Sequence, residues 1–372
     1  MAPTRWQRTM FEYGKAGRQS QTFHVAGADV RVPDLVVTPV TDRSVLVDEL
    51  FDHLGPEDPG ASVLIAHEGR ILHEAGYGLA DVEHGIPNTP RTRYRLAYVS
   101  KQFTSLAVMQ LVEAGRIDLD VPLSTYLPDY PHSGQITTRQ LMTHQSGIPS
   151  YLSDSDFWAE AALGRDMAGL LDVFQHKDLA FEPGSRYSYS NSAYVVLAHL
   201  LETVSGVSFE EYLQANIFDP VRMDDTGVDH IGRSSRTGPT GTSEDGIINT
   251  WWLDMYLLTG SGNLYSTVRD LLKWDQALYT ETVLTQPTLH ETYQHATLND
   301  GNETDYGLGW RLGEVNGLRT IGHSGSINGF TTQLHRFIDQ QYTVIVLVNN
   351  PRLFAGELAW QISEIYLSEQ MK

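Results

Sequence analysis

Any chemistry this chain of 372 residues performs would turn on Tyr98 and Lys101. The stretch from Arg95 to Thr104 reads as the start of a helix, with apolar Phe103, Leu106, Ala107, Met109 and Val112 at helical spacing. Residues three apart share a helix face, so the phenol of Tyr98 and the amine of Lys101 point the same way, while Ser100 is rotated off it. A hydroxyl beside an amine that can take its proton is the elementary unit of nucleophilic catalysis. A second group, Tyr189 and Asn191, stands where a loop starting at Phe181-Glu182-Pro183-Gly184 enters an apolar run through Leu197, Leu200, Leu201 and Val204 that stops at Gly206. Both side chains therefore lie at a loop-to-helix junction, from which they can project into a cleft. A third, His323-Ser324-Gly325-Ser326, leads into the alternating run Gly329-Phe330-Thr331-Thr332-Gln333-Leu334. A glycine inside such a strand lets another backbone or a ligand come close.

The spacing of Tyr98 and Lys101 is that of an S-x-x-K motif with tyrosine in the serine slot. No other lysine rescues the motif, since Glu12, Phe174, Asp270 and Glu369 stand three residues before Lys15, Lys177, Lys273 and Lys372. With Tyr189-Ser190-Asn191 and His323-Ser324-Gly325 following in order, the chain resembles the serine β-lactamase and penicillin-binding-protein-like superfamily. The likeness is to its class C β-lactamase, D,D-peptidase and esterase branch, which uses S-x-x-K, then Y-x-N, then K-T-G or H-x-G. Supporting segments are Leu141-Met142-Thr143-His144-Gln145-Ser146-Gly147-Ile148-Pro149, Tyr306-Gly307-Leu308-Gly309-Trp310 and the run from Asp270 to Leu278. The likeness covers roughly residues 42 to 368.

The resemblance implies an α/β fold, an antiparallel sheet flanked by helices plus an inserted, mostly helical domain, with the site in the cleft between them. It implies a hydrolase acting on esters, amides or β-lactams by acyl transfer. Lys101 and Tyr189 would share the proton work, with Lys101 supplying the positive charge that favours a Tyr189 phenolate. Asn191 would orient Lys101 and the acyl side chain. His323 would replace the lysine of K-T-G as a donor near Tyr189, Gly325 would line the oxyanion pocket, and the N–H groups of Tyr98 and Ser326 would be the oxyanion donors. His144 is expected to brace a loop.

Tyr98 leaves three readings open. The phenol, or a nearby hydroxyl such as Ser100 or Ser326, acts as nucleophile; or the chain is a binding or regulatory homologue without turnover; or it is an altered form of an active serine hydrolase. The first carries a geometric difficulty, because the phenol oxygen sits a whole ring further from the backbone than a serine hydroxyl.

The elements that must position these residues come from both ends of the chain. Residues 1–40 carry little periodicity and three prolines and read as an arm. Asp42 to Leu54 reads as an amphipathic helix, and 62–68 with 71–76 as a hairpin. Strands are expected at about 318–323, 329–337 and 341–349, then a helix at about 353–368. One sheet domain is thus expected from 41–97 and 258–372, around a helical insertion at 98–257.

Composition narrows the partners. The formal charge of −20, with five lysines and 21 arginines, gives an acidic surface that repels phosphate backbones, so nucleic acid is not an expected ligand. The absence of cysteine removes disulfides and thiolate metal sites. His290-Glu291-Thr292-Tyr293-Gln294-His295 is one residue too long for a zinc-binding H-E-x-x-H helix, and neither metal nor cofactor is expected. No secretory leader follows Met1 and no apolar run has membrane-spanning length, so a cytoplasmic location is the expectation. The expected ligand is a small ester, amide or β-lactam; the sequence sets no oligomeric state.

Overall fold

The computed structural model describes residues 42–153, 165–229 and 253–371 in full, and within 18–36 and 240–249 the backbone of four strands. The chain divides into two units, 1–46 and 47–372. In the first, β1 (Arg18–Val25) and β2 (Ala28–Val36) pair antiparallel, so the expected arm contains an ordered ribbon. Its sequence signal, Val30 and Val32 alternating with polar residues, is interrupted at Pro33.

The second unit is built on six antiparallel strands. They are β3 (Ala61–His67), β4 (Arg70–Tyr77), β5 (Arg311–Val315), β6 (Leu318–Ile327), β7 (Phe330–Phe337) and β8 (Tyr342–Val348), in spatial order β5-β6-β7-β8-β3-β4. The two chain ends meet at the β8–β3 pair, where Val346 lies opposite Val63. All seven residues of β8 are buried. Ile345 and Leu347 face one core and Val344, Val346 and Val348 the other, which is why this strand reads as an unbroken apolar run rather than an alternation.

One sheet face is covered by the C-terminal helix Ala355–Leu367 through Leu358, Ala359, Ile362 and Tyr366, a helical stripe. Against the other lies the larger core, into which the helices α1 (Ser100–Glu113), α2 (Asn191–Ser205) and α3 (Val268–Ala277) project. In α2 nearly every residue from Asn191 to Leu201 is buried. Its start is capped by the Ser190 hydroxyl, which accepts from the Ala193 N–H at 3.3 Å, and its end by Gly206 at φ +82°. No single helix among the described residues is long and apolar enough to cross a membrane.

Candidate active site

The residue at position 98 is presented by a strained turn. The chain leaves the short strand Tyr94–Arg95, makes a 3-10 turn over Ala97–Val99, and only then enters α1 at Ser100, so Tyr98 precedes the helix that its sequence pattern suggests it begins. Ala97 is fully buried at φ +47°, a left-handed conformation that costs a non-glycine residue about 1 kcal/mol or more. Two hydrogen bonds hold the turn in place: the Leu96 N–H donates to the Leu264 carbonyl at 2.8 Å, and the Thr332 hydroxyl of β7 donates to the Leu96 carbonyl at 2.8 Å. The turn lies directly on Gly325 of β6. A Cβ there would stand 2.3 Å from the Leu96 oxygen and 2.4 Å from the Thr332 hydroxyl, with the Ala97 Cβ at 3.0 Å.

We therefore expect Gly325→Ala to destabilise the protein by about 1–3 kcal/mol, the usual cost of overpacking, and to displace the turn carrying Tyr98. Thermal unfolding reads the first effect and loss of ligand binding the second. A variant as stable as the parent would mean that the turn can move away at no cost.

Lys101, one residue into α1, is fully buried. Its Nζ donates to Asn191 Oδ1 at 2.7 Å and to the Ser261 carbonyl at 3.0 Å. The rings of Tyr98, Tyr189 and Tyr194 surround it at 4.4, 4.7 and 5.1 Å from Nζ to centroid. Two influences on its charge oppose each other. Ring faces favour the ammonium by about 0.5–2 kcal/mol each, whereas removing an ammonium from water costs several kcal/mol even after relaxation. Burial wins: it holds the amine well below its ordinary pKa, and the positive charge of Arg311 pushes the same way. In the neutral amine, two N–H bonds serve Asn191 and Ser261, and the lone pair is free to take a proton.

Tyr98 packs edge-on against Tyr189, with ring centroids 5.9 Å apart. Its hydroxyl is hydrogen-bonded to the Asn191 side chain, which partly offsets the upward push of burial on its pKa. Asn191 thus bridges the phenol and the amine. Ser100, by contrast, is wholly buried and its hydroxyl accepts from the Leu264 N–H at 3.2 Å, so it is no alternative nucleophile. The Ser326 hydroxyl fails as well. Side chains alternate along β6, and Ser326 points away from the face that Gly325 turns toward Ala97. Its backbone remains on the strand edge that β5 leaves uncovered, since β5 pairing ends at Arg311 opposite Gly322.

Two expected roles are revised. His323 is fully buried and its ring nitrogens are both engaged: Nδ1 donates to the Ser324 carbonyl at 2.7 Å, and Nε2 therefore accepts from the Tyr306 hydroxyl at 2.9 Å. Burial, the largest cause, keeps this histidine neutral, with its pKa well below the usual value. It has no donor left for a ligand. Tyr189 is not a phenolate base either, because burial drives its pKa well above the ordinary range, and Lys101 lies on its ring face rather than at its oxygen. The Tyr189 hydroxyl is buried without a hydrogen-bond partner among the described residues.

His144 orders the loop that carries Tyr189. Its Nδ1 accepts from the Ser190 N–H at 3.1 Å, its carbonyl accepts from the Ser188 N–H at 2.9 Å, and its ring packs on Tyr189 at 4.2 Å.

The Beta-lactamase family model matches residues 47–366. The chain belongs to the beta-lactamase family. It is 31% identical to penicillin-binding protein 4* of Bacillus subtilis over 325 residues, 81% of this chain and 70% of that protein. Among solved structures, the octameric penicillin-binding protein homologue from Pyrococcus abyssi is 25% identical with a TM-score of 0.76, covering 89% of this chain and 78% of that one. The D-amino acid amidase from Ochrobactrum anthropi SV3, complexed with L-phenylalanine amide, is 25% identical with a TM-score of 0.74, covering 89% and 100%. Membership places this beta-lactamase-family chain among hydrolases that work by acyl transfer, with the α/β fold that its motifs imply.

Three participants in this beta-lactamase-like cleft were not singled out from sequence. Tyr306 holds His323; Ser261, whose carbonyl receives Lys101, lies in a tight Gly260-Ser261-Gly262 turn; and Arg311 stands over the Tyr189 ring with Cζ 5.4 Å from its centroid. The glycines at 260 and 262 were the readable signal for the turn. Tyr306 opens the Tyr306-Gly307-Leu308-Gly309-Trp310 segment and Arg311 follows it, and the family character of that segment alone gives no position relative to the cleft.

Proposed function

We propose that the protein is an acyl-transfer hydrolase of small amides or esters, with the Tyr98 phenol as acyl acceptor, neutral Lys101 as proton acceptor and weak β-lactam turnover. The observation that supports this is the pairing of a phenol on a strained, sheet-anchored turn with a buried amine whose lone pair is uncommitted. In the step proposed, the phenol oxygen bonds to the substrate carbonyl carbon and its proton passes to Lys101. The bond from that carbon to the leaving nitrogen or oxygen breaks, and the leaving group takes the proton from Lys101. Water then cleaves the aryl ester, returning the acid and the free phenol. The backbone N–H groups of Tyr98 and Ser326 are the proposed donors to the oxyanion, and neither depends on a side chain.

Turnover is slow on this reading for a structural reason. The Tyr98 hydroxyl is hydrogen-bonded to Asn191, and its ring packs against Lys101 Nζ at 4.4 Å, so the phenol must leave both contacts before it attacks. The same observation favours a second reading, a binding protein whose tyrosine closes the old nucleophile position.

Intact mass after incubation with benzylpenicillin and with a p-nitrophenyl ester separates the two. On the first reading a covalent adduct forms and maps to Tyr98, and Tyr98→Phe, which removes only the hydroxyl, abolishes it. An adduct that persists in Tyr98→Phe would place the chemistry elsewhere, and ligand binding with no adduct in either protein would support the binding reading.

A further inference from the structure

We propose that the chain carries a second ligand site, outside the cleft of Tyr98, which takes a primary ammonium group with an oxygen atom a few bonds away from it. The proposal goes beyond acyl transfer and does not depend on it.

The site is a cavity of about 490 Å³ between residues 137–145 and 291–299, where the short helices Thr138–Met142 and Gln286–Thr292 end. That volume is in the range of small-molecule pockets. None of the residues placed in the cleft lines it. Its walls are set before any ligand arrives. The Thr137 hydroxyl accepts from the Gln140 N–H at 3.2 Å and the Gln140 side chain accepts from the Thr137 N–H at 3.0 Å, a reciprocal cap on the first helix. Gly184 then ties the two walls together: its N–H donates to the Gln145 carbonyl at 2.8 Å, and its carbonyl accepts from the Asn299 N–H at 2.8 Å.

Charge and hydrogen-bonding capacity at the rim point to a cation. Arg139 serves two carboxylates at once: Nε and Nη2 donate to Asp120 at 2.7 and 2.9 Å, and Nη1 and Nη2 both donate to Glu291 Oε1 at 3.1 Å. No lysine and no second arginine lines the cavity, so one negative charge stays uncompensated there. Glu291 Oε2 takes no bond from the described residues. Gln294 and Asn299 each spend a side-chain N–H on a carbonyl, of His290 at 3.0 Å and of Pro183 at 3.1 Å, and their amide oxygens likewise take none. An ammonium, with three donors on one positive charge, matches such a set of exposed acceptors. Deeper in the cavity the demand reverses. Gln145 is only 5% exposed, and its Nε2 is buried without a hydrogen-bond partner among the described residues. A buried donor left unmade is costly, and an oxygen of the ligand reaching past the rim relieves it.

Two matched pairs of probes test this and separate the sources of such a group. Glucosamine and glucose differ only in an ammonium or a hydroxyl at one carbon; Nα-acetyl-lysine methylamide and Nα-acetyl-norleucine methylamide differ only in the terminal ammonium. In ligand-observed NMR titrations of the full chain, run in about 0.3 M salt to screen the general pull of an acidic surface, the ammonium member of at least one pair should bind about tenfold or more tighter than its neutral partner. A preference for glucosamine identifies an amino sugar as the source, and one for the lysine derivative a peptide side chain. Glu291→Gln removes the charge with little change of shape and should abolish the preference. Glu314→Gln, at an exposed carboxylate that does not line the cavity, should keep it. Equal binding within both pairs, binding of no probe, a preference kept in Glu291→Gln or lost in Glu314→Gln, or n-butylammonium, which has no oxygen, binding as tightly as the preferred probe would each overturn the proposal.

Discussion

Tyr98→Ser is expected to raise p-nitrophenyl ester hydrolysis over the parent by about 10²-fold or more in kcat/KM, a conservative share of what nucleophile and base supply together in such sites. Three features of the cleft support the size of the effect. The turn that presents position 98 is held by Leu264, Thr332 and the close approach of Gly325, none of which involves the tyrosine ring, so the backbone that would carry a serine there is kept in place. Removing the ring uncovers Lys101, which it overlies at 4.4 Å. It also frees Asn191 from the phenol, leaving its amide to meet substrate. The substitution should cost stability, since Tyr98 is partly buried and packs on Tyr189; a loss of about 2–3 kcal/mol is typical of truncating such a ring. Activity and thermal unfolding should thus move in opposite directions. A folded Tyr98→Ser protein that hydrolyses esters no faster than the parent would mean that Lys101 and the backbone donors are no longer arranged for acyl transfer, and the hydrolase reading would fall.

The contrast between what the sequence discloses and what it does not follows from how each feature is encoded. The strands near both chain ends are readable because β3 and β8 are apolar on both faces and glycines stand within β6 and just before β7, and the hairpin of β3 and β4 turns at Glu68-Gly69, one residue before the Gly69-Arg70 turn expected. The convergence of Tyr98, Lys101, Asn191 and Tyr189 is likewise carried by local motifs in order. What the motifs do not encode is the state of each group. Whether Tyr189 is a base depends on how deeply its hydroxyl is buried and on which side of the ring Lys101 lies; whether His323 can donate depends on Tyr306, seventeen residues away. These are consequences of packing between elements distant in sequence, to which helical periodicity and strand alternation are blind. Ser100 shows the same limit from the other side: its position in the helix shows only that it leaves the Lys101 face, and its bond to the Leu264 N–H comes from residues 164 positions away.

Lys101→Met tests the protonation state on which the chemistry depends. Loss of a positioned proton acceptor should lower any acyl-adduct formation or ester hydrolysis by about 10²–10⁴-fold. The offset in stability is not the informative quantity, because methionine removes the cost of burying an amine while leaving Asn191 Oδ1 and the Ser261 carbonyl without their donor, a penalty of about 1–3 kcal/mol. Its pH dependence is informative. The native pKa of Lys101 is depressed, so between that value and the ordinary lysine pKa near 10.4 the unfolded chain holds one proton more than the folded one. Stability of the parent therefore gains about 1.4 kcal/mol per pH unit from this group as pH rises through that window, and it loses the same as pH falls, until the native amine itself protonates. Lys101→Met has no such group. The stability difference, parent minus variant, should rise with pH across the alkaline range, measured by denaturant unfolding at a series of pH values. A flat difference would show that Lys101 is an ammonium in the folded protein throughout, held by Asn191 and the tyrosine rings, and with no lone pair to receive the Tyr98 proton the proposed acyl transfer could not begin.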